Sequence, residues 1–291
     1  MARGGRELRR GEAGGRAGVG LAPPRIGMPA PARSGAGLGR LVGMAPHTTS
    51  TRLAVTALGA ALLLSGCALT GVGPVQTADA DATVSEAVTA VELKDVRSGD
   101  VEVVPGSGPG VAVRRVVHYR GAAVPTPGQR VSGGVLTFSD GCEDDCWIDY
   151  RLEVPAAARV RVEGSSGDIT VRGVAGADLT SSSGDVRAEA ITGPVKVRTS
   201  SGRITATGLE GAEAEFRASS GEVGAEFAKP PASVSVTTSS GDVGLKAPQG
   251  PYRVSTDTSA GTRRISLNDS PGARSVITVR TSTGDITVGA S

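Results

Sequence analysis

Aromatic residues make up only 2% of this 291-residue chain: one Trp, three Tyr and three Phe. An ordinary globular core uses more of these large side chains, whereas narrow layers filled by Val, Ile, Leu and Ala need none. Only two histidines occur, His47 and His118, which leaves little for an imidazole-based metal centre or acid–base relay. Three cysteines are too few for a disulfide-dense scaffold. The apolar run Leu53–Leu64 covers twelve residues, about 18 Å as a helix and short of a bilayer core of about 30 Å. No helical apolar period of useful length follows residue 92. The chain also lacks a Gly-x4-Gly-Lys-Ser/Thr phosphate loop, a Gly-x-Ser-x-Gly elbow and an HExxH motif, which removes the common nucleotide, hydrolase and zinc-protease readings.

What is abundant is glycine, 43 residues of it, in a recurring setting. Ser165-Ser166-Gly167-Asp168 returns as Ser182-Ser183-Gly184-Asp185, Ser200-Ser201-Gly202-Arg203, Ser219-Ser220-Gly221-Glu222 and Ser239-Ser240-Gly241-Asp242. Looser copies are Ser259-Ala260-Gly261-Thr262 and Ser282-Thr283-Gly284-Asp285. Successive glycines lie 17, 18, 19, 20, 20 and 23 residues apart. A period near 20 marks a repeat architecture whose units bury their apolar side by stacking. β-Branched residues alternate on both sides of each glycine, as in Val160, Val162, Ile169 and Val171, or Ile277, Val279, Ile286 and Val288. That is the pattern of strands buried on one face, and Ser-Gly and Gly-Asp supply the turn between them. Gly173, Gly193 and Gly208 fit the return bends. The expected fold is an all-β, single-domain solenoid with rungs of 17–23 residues, preceded by an N-terminal strand and hairpin region; a meander of hairpins closing into a barrel or sandwich is the alternative.

The N-terminal segment reads as targeting. Arg52, the apolar run and Leu64-Ser65-Gly66-Cys67 occur in the order of a lipoprotein signal, in which Leu64, Ser65 and Gly66 form the lipobox and Cys67 takes the lipid. Ordinary secretory cleavage near an unrelated cysteine is the alternative. The expected organisation is an extension over 1–43 that is non-native or disordered, a signal peptide over 44–66, a flexible tether over 67–88 and the β-domain over 89–291. The basic 1–43 stretch could instead be an arm for nucleic acid or anionic lipid. Without residues 1–66 the chain keeps 22 basic and 27 acidic side chains, a formal −5 in place of +2. That balance suits an exported body and not a nucleic-acid binder.

Cys142 and Cys146 flank Glu143-Asp144-Asp145. Outside the cytoplasm this spacing favours a disulfide, clipping a hairpin between Val135–Phe138 and Trp147–Val154; a thiolate–carboxylate metal site or a redox pair are the other readings. The corner acids Asp168, Asp185, Glu222, Asp242 and Asp285 fall at one repeat position, where they read as solvated turn residues, or as a Ca²⁺-attracting row interrupted by Arg203 and Thr262. His118, in the apolar strand Val111–Tyr119, reads as structural. No catalytic residue, metal or cofactor is assigned.

Several segments carry a family likeness. Arg97-Ser98-Gly99-Asp100-Val101-Glu102-Val103 opens the motif, Leu152-Glu153-Val154-Pro155 precedes the repeats, Pro248 to Val254 lies between corners, and Thr281-Ser282-Thr283-Gly284-Asp285-Ile286-Thr287-Val288 closes it. With these the run from Val91 to Val288 resembles the DUF4097 family of adhesin-like β-strand-repeat proteins, and the paired cysteines resemble its actinobacterial versions. The resemblance implies a β-solenoid with turns at Gly99, Gly167, Gly184, Gly202, Gly221, Gly241, Gly261 and Gly284, a cell-envelope location and no catalytic residues. The expected function is a non-enzymatic binding or scaffolding module, lipid-anchored on the extracytoplasmic face of the membrane and facing an envelope protein or glycan. A solenoid polysaccharide-active enzyme and an envelope-stress sensor or scaffold are the alternatives. The chain ends three residues after Val288, so the last rung is expected to expose a pairing edge and to be covered by the N-terminal strands, by self-association or by a partner.

Overall fold

A computed structural model describes residues 73–142 and 145–291. Residues 1–72, including the lipobox and Cys67, lie outside the described residues. Every regular element among the described residues is a strand: β1 (Gln76–Asp79), β2 (Ala82–Val84), β3 (Ala90–Val96), β4 (Val101–Gly106), β5 (Val111–Tyr119), β6 (Gly128–Ser132), β7 (Val135–Ser139), β8 (Cys146–Pro155), β9 (Arg159–Gly164), β10 (Ile169–Arg172), β11 (Gly176–Ser181), β12 (Val186–Glu189), β13 (Val195–Thr199), β14 (Ile204–Leu209), β15 (Glu213–Ser220), β16 (Val223–Phe227), β17 (Ser233–Ser240), β18 (Val243–Ala247), β19 (Arg253–Ala260), β20 (Arg263–Ile265), β21 (Val276–Thr283) and β22 (Ile286–Ala290).

Each serine-glycine corner carries the chain from one sheet to the other. The strand before the corner joins a ten-stranded sheet, in the order β19-β21-β17-β15-β13-β11-β9-β3-β7-β6. The strand after it joins a twelve-stranded sheet, β1-β5-β8-β4-β10-β12-β14-β16-β18-β22-β20, with β2 also on β5. From β8 to β20 and from β7 to β19 all pairings are parallel. This is the stacked solenoid and not the meander. The alternating residues meet between the sheets: Val197, Ile204, Val236, Leu245, Val279 and Val288 are all essentially inaccessible. Burying an aliphatic side chain of this size contributes about 1.5–3 kcal/mol, so a rung is held mainly by the rungs above and below it.

Three expectations need correction. Val135–Phe138 and Trp147–Val154 are not a hairpin: β7 pairs with β3 and β6, while β8 pairs with β4 and β5 in the opposite sheet. The turn between them is a sheet-to-sheet corner, because an apolar alternation on each side fills a two-layer core as well as it fills a ribbon. Second, some of the expected tether is folded. β1 and β2 pair antiparallel with β5, and Val84 and Val88 are buried. Third, the last rung in sequence is not the last in space. β21 lies between β17 and β19, and β22 between β18 and β20. The rung 253–265 occupies the end of the stack, and the C-terminal strands are paired on both sides.

The other end is closed by antiparallel strands. Arg115 points inward there and is buried; its Nε donates to the Ala80 carbonyl at 2.6 Å and its Nη2 to Gln129 at 3.0 Å, tying the two layers. Burial pushes the neighbouring Tyr150 phenol up to about 12, with Arg115 opposing that shift.

Candidate functional site: the corner column and the sheet faces

The eight repeat-turn glycines form one column, in the spatial order Gly99, Gly167, Gly184, Gly202, Gly221, Gly241, Gly284 and Gly261. A β-carbon built on Gly167 would stand 2.0 Å from the Gly99 carbonyl oxygen, one on Gly184 1.9 Å from that of Gly167, and one on Gly261 2.0 Å from that of Gly284. No side chain fits such an approach, which is why glycine recurs here. Two corner forms occur. In the first, the amides of Gly184 and Gly202 bond the hydroxyls of Ser181 and Thr199, each at 3.0 Å. In the second, Gly221 and Gly241 have φ of +147° and +142° and bond the next rung's backbone, at Ser240 and Thr283. Of the return glycines, Gly173 and Gly208 adopt positive φ, and Ala190 takes the equivalent place between them at +53°.

The corner acids are aligned, and they have work within the fold. Asp149 accepts the Asp100 amide at 3.0 Å, Asp100 that of Asp168 at 2.9 Å, Asp168 that of Asp185 at 2.9 Å, and Asp185 that of Arg203 at 2.9 Å. A second run begins at Asp242, which accepts from Asp285 at 2.8 Å; Asp285 accepts from Thr262 at 2.8 Å. Each carboxylate thus satisfies a backbone donor of the adjacent rung at the bend. The two departures become intelligible. Thr262 belongs to the end rung, with no further rung to serve. Arg203 ends the first run and pairs with Glu222 at 3.2 Å. The Thr262 amide and hydroxyl hold the Asp285 carboxyl below its ordinary pKa.

Asp149 is the member that repeat spacing misses. Its other oxygen lies 2.8 Å from His118 Nε2, and His118 stacks on Trp147 with ring centroids 4.8 Å apart. The one signal was an acid two residues after Trp147 on an alternating strand. Cys142 and Cys146 are joined, with Cα atoms 5.7 Å apart; they pin the corner between β7 and β8, where the other rungs use the glycine motif. The disulfide removes the thiolate donors a metal site there would need. No group of three or more His, Cys, Asp or Glu is placed to hold a metal among the described residues.

Both outer faces are broad and charged. On the ten-stranded sheet, Glu92, Arg161, Asp178, Lys196 and Glu215 stand side by side in register, alternating in sign, and border an open hollow of about 660 Å³. On the twelve-stranded sheet, Arg114, Arg151, Arg172 and Arg187 surround a hollow of about 610 Å³ with Glu102 and Asp168. Glu102 bridges Arg151 and Arg172, and Arg187 reaches Asp168 at 3.3 Å. The charges of both faces are largely spent on one another.

A family model described as Toastrack DUF4097 matches residues 88–289, and the chain belongs to that family. Among solved structures it is similar to a "putative adhesin" from Bacteroides fragilis (12% identity, 75% of this chain and 97% of that one, TM-score 0.43). A "putative adhesin" from Parabacteroides merdae (12%, 75% and 97%, 0.41) and a "putative cell adhesion protein" from Clostridium sporogenes (9%, 75% and 100%, 0.34) are also similar. A comparison with curated proteins finds no match.

Proposed function

We propose that this protein is a non-enzymatic, lipid-anchored module of the cell envelope that presents the faces of its β-stack to an extracytoplasmic protein or glycan. The observation that carries the reading is the carboxylate column: the corner aspartates that recur in the sequence accept backbone N–H groups of neighbouring rungs, so their recurrence is architectural. Many equivalent, weakly attractive positions along a stack suit avidity-type binding.

The anchor follows from the lipobox ending at Cys67. Eight residues separate it from Gln76 in β1, a reach of at most about 30 Å. The β1 end of the stack is then held near the membrane, and the rung 253–265 stands away from it, the stack being roughly 40 Å long at the inter-strand spacing of a sheet. Intact-mass analysis of the membrane fraction tests the anchor: a diacylglyceryl-modified chain beginning at Cys67 is expected, and a longer soluble product with Cys67 unmodified overturns it. Crosslinking on intact cells should capture an envelope component on an outer face. Turnover of an acidic polysaccharide that disappears in Asp168→Ala or Asp242→Ala would overturn the non-enzymatic reading.

A further inference from the structure

The end of the stack at β19 and β20 is a sheet edge, and edges of this kind invite a further strand. In β19, Arg253 directs its amide to Ser275, just before β21. A residue's N–H and C=O point to the same side and successive residues alternate, so Tyr252, Val254, Thr256 and Thr258 direct theirs away from the stack. Four of those outward groups are already taken by the chain itself. The Tyr252 amide donates to the Asn268 carbonyl at 3.2 Å, and the Tyr252 carbonyl accepts from the Ser270 amide at 2.7 Å. The Val254 amide donates to Asp269 Oδ1 at 3.1 Å. The Thr256 carbonyl accepts from Arg263 Nη1 at 3.3 Å. Arg263 and Ile265 are in register with Ile286 and Val288, which are core residues of the adjacent rung. A charge thus stands where the rungs from β4 to β22 place Val or Ile.

Without these pieces the edge fits its own copy. Antiparallel pairing about a two-fold axis at Ser255 would set Val254 opposite Thr256, both with outward backbone groups. It would also bring Arg253 beside Asp257 of the other copy, an attractive cross-strand pair. We propose that the segment Ser266–Ser270, together with Arg263, is a built-in strap that keeps this edge from pairing with a second copy of the chain.

The test uses the full chain in mild detergent with Ser255→Cys as reporter, since the two-fold would bring those thiols together. The reporter alone should stay monomeric on oxidation. Adding Arg263→Ala and Asp269→Ala should give a disulfide-linked dimer, lost on further adding Asp257→Arg and recovered with Arg253→Asp. A folded, strap-opened variant that stays monomeric overturns the proposal, as does a reporter that dimerises equally well with the strap intact. If the opened variant does not fold, hydrogen exchange on the unaltered chain decides. The Val254 and Ser270 amides should exchange at least tenfold more slowly than those of Thr256 and Thr258; equal rates overturn the strap.

Discussion

Gly184 and Gly244 show two reasons a glycine can stand in a β-protein, and they predict opposite outcomes for the same substitution. At Gly184 a methyl group would lie 1.9 Å from a backbone oxygen of the rung beside it, with no flexible side chain to give way. Gly184→Ala must push neighbouring rungs apart, and a loss of about 3 kcal/mol is expected from overpacking of this kind. Gly244 faces outward in the interior of β18 with nothing within 4 Å. Gly244→Ala should therefore gain about 0.5–1 kcal/mol from reduced chain entropy in the unfolded state and a better strand residue. Chemical denaturation of the two variants beside the parent checks both signs; a destabilised Gly244→Ala would mean that the outward face of β18 does not accept the methyl group as its open surroundings imply.

At the scale of the element, the corner is a unit: a glycine that lets backbones touch and a carboxylate that satisfies the next rung's amide. The alternation and the corner spacing made the strand–corner–strand unit legible, because both are local and each repeat restates them. The carboxylate's role was not legible, since its donor lies one rung away and only the stack brings them together. Two outcomes follow. Asp285 has a lowered pKa through its bonds from Thr262, so the folded state favours the ionised form. Its contribution is complete above the ordinary carboxylate range near pH 4 and is lost as pH falls through the lower folded value. Thermal melts of Asp285→Asn should accordingly show a shallower acid dependence below about pH 4 than the parent; equal slopes would remove the role of the charge. The disulfide corner answers to a different treatment. Cys142 and Cys146 close a loop with a sequence separation of 4, and chain-entropy reasoning for so short a loop gives about 2 kcal/mol. The double variant to Ala should lose about that much in denaturation and brighten or shift the emission of Trp147, the sole tryptophan. A larger loss would mean that the corner has no packing of its own.

For the whole molecule the decisive feature is that chain order and spatial order differ at both ends. β3 and β4 come first among the stacked rungs in sequence but lie inside β7 and β8, and β21 and β22 come last but lie inside β19 and β20. Nothing in the repeat could announce this: the corners at Gly261 and Gly284 carry similar sequences, yet it is Gly284 that stacks on Gly241 and Gly261 that stacks on Gly284. The hints were weaker ones. The step from Gly261 to Gly284 is the longest, 23 residues, and the rung at 253–265 carries Thr256 and Arg263 where its neighbours carry Val236, Val279 and Ile286. A polar lining belongs where one side has no rung to cover it, so it marks the end of the stack. The consequence is a reversal of the usual fraying pattern. In a simple linear array the last repeat has one interface and opens first. Here β21 keeps ladders on both sides and its Ile277 and Val279 are fully buried, whereas β19 has one full ladder and half-open inner positions. Native-state hydrogen exchange should find Val276–Thr283 and Ile286–Ala290 among the slowest amides, opening only with the global transition, while Arg253–Ala260, some twenty residues earlier, opens sub-globally and sooner. Fast exchange confined to the last fifteen residues would restore the simple order and refute the interleaved end. Slow exchange there, with an earlier segment opening first, has a clear physical source: the chain's final rung was closed over by the one before it.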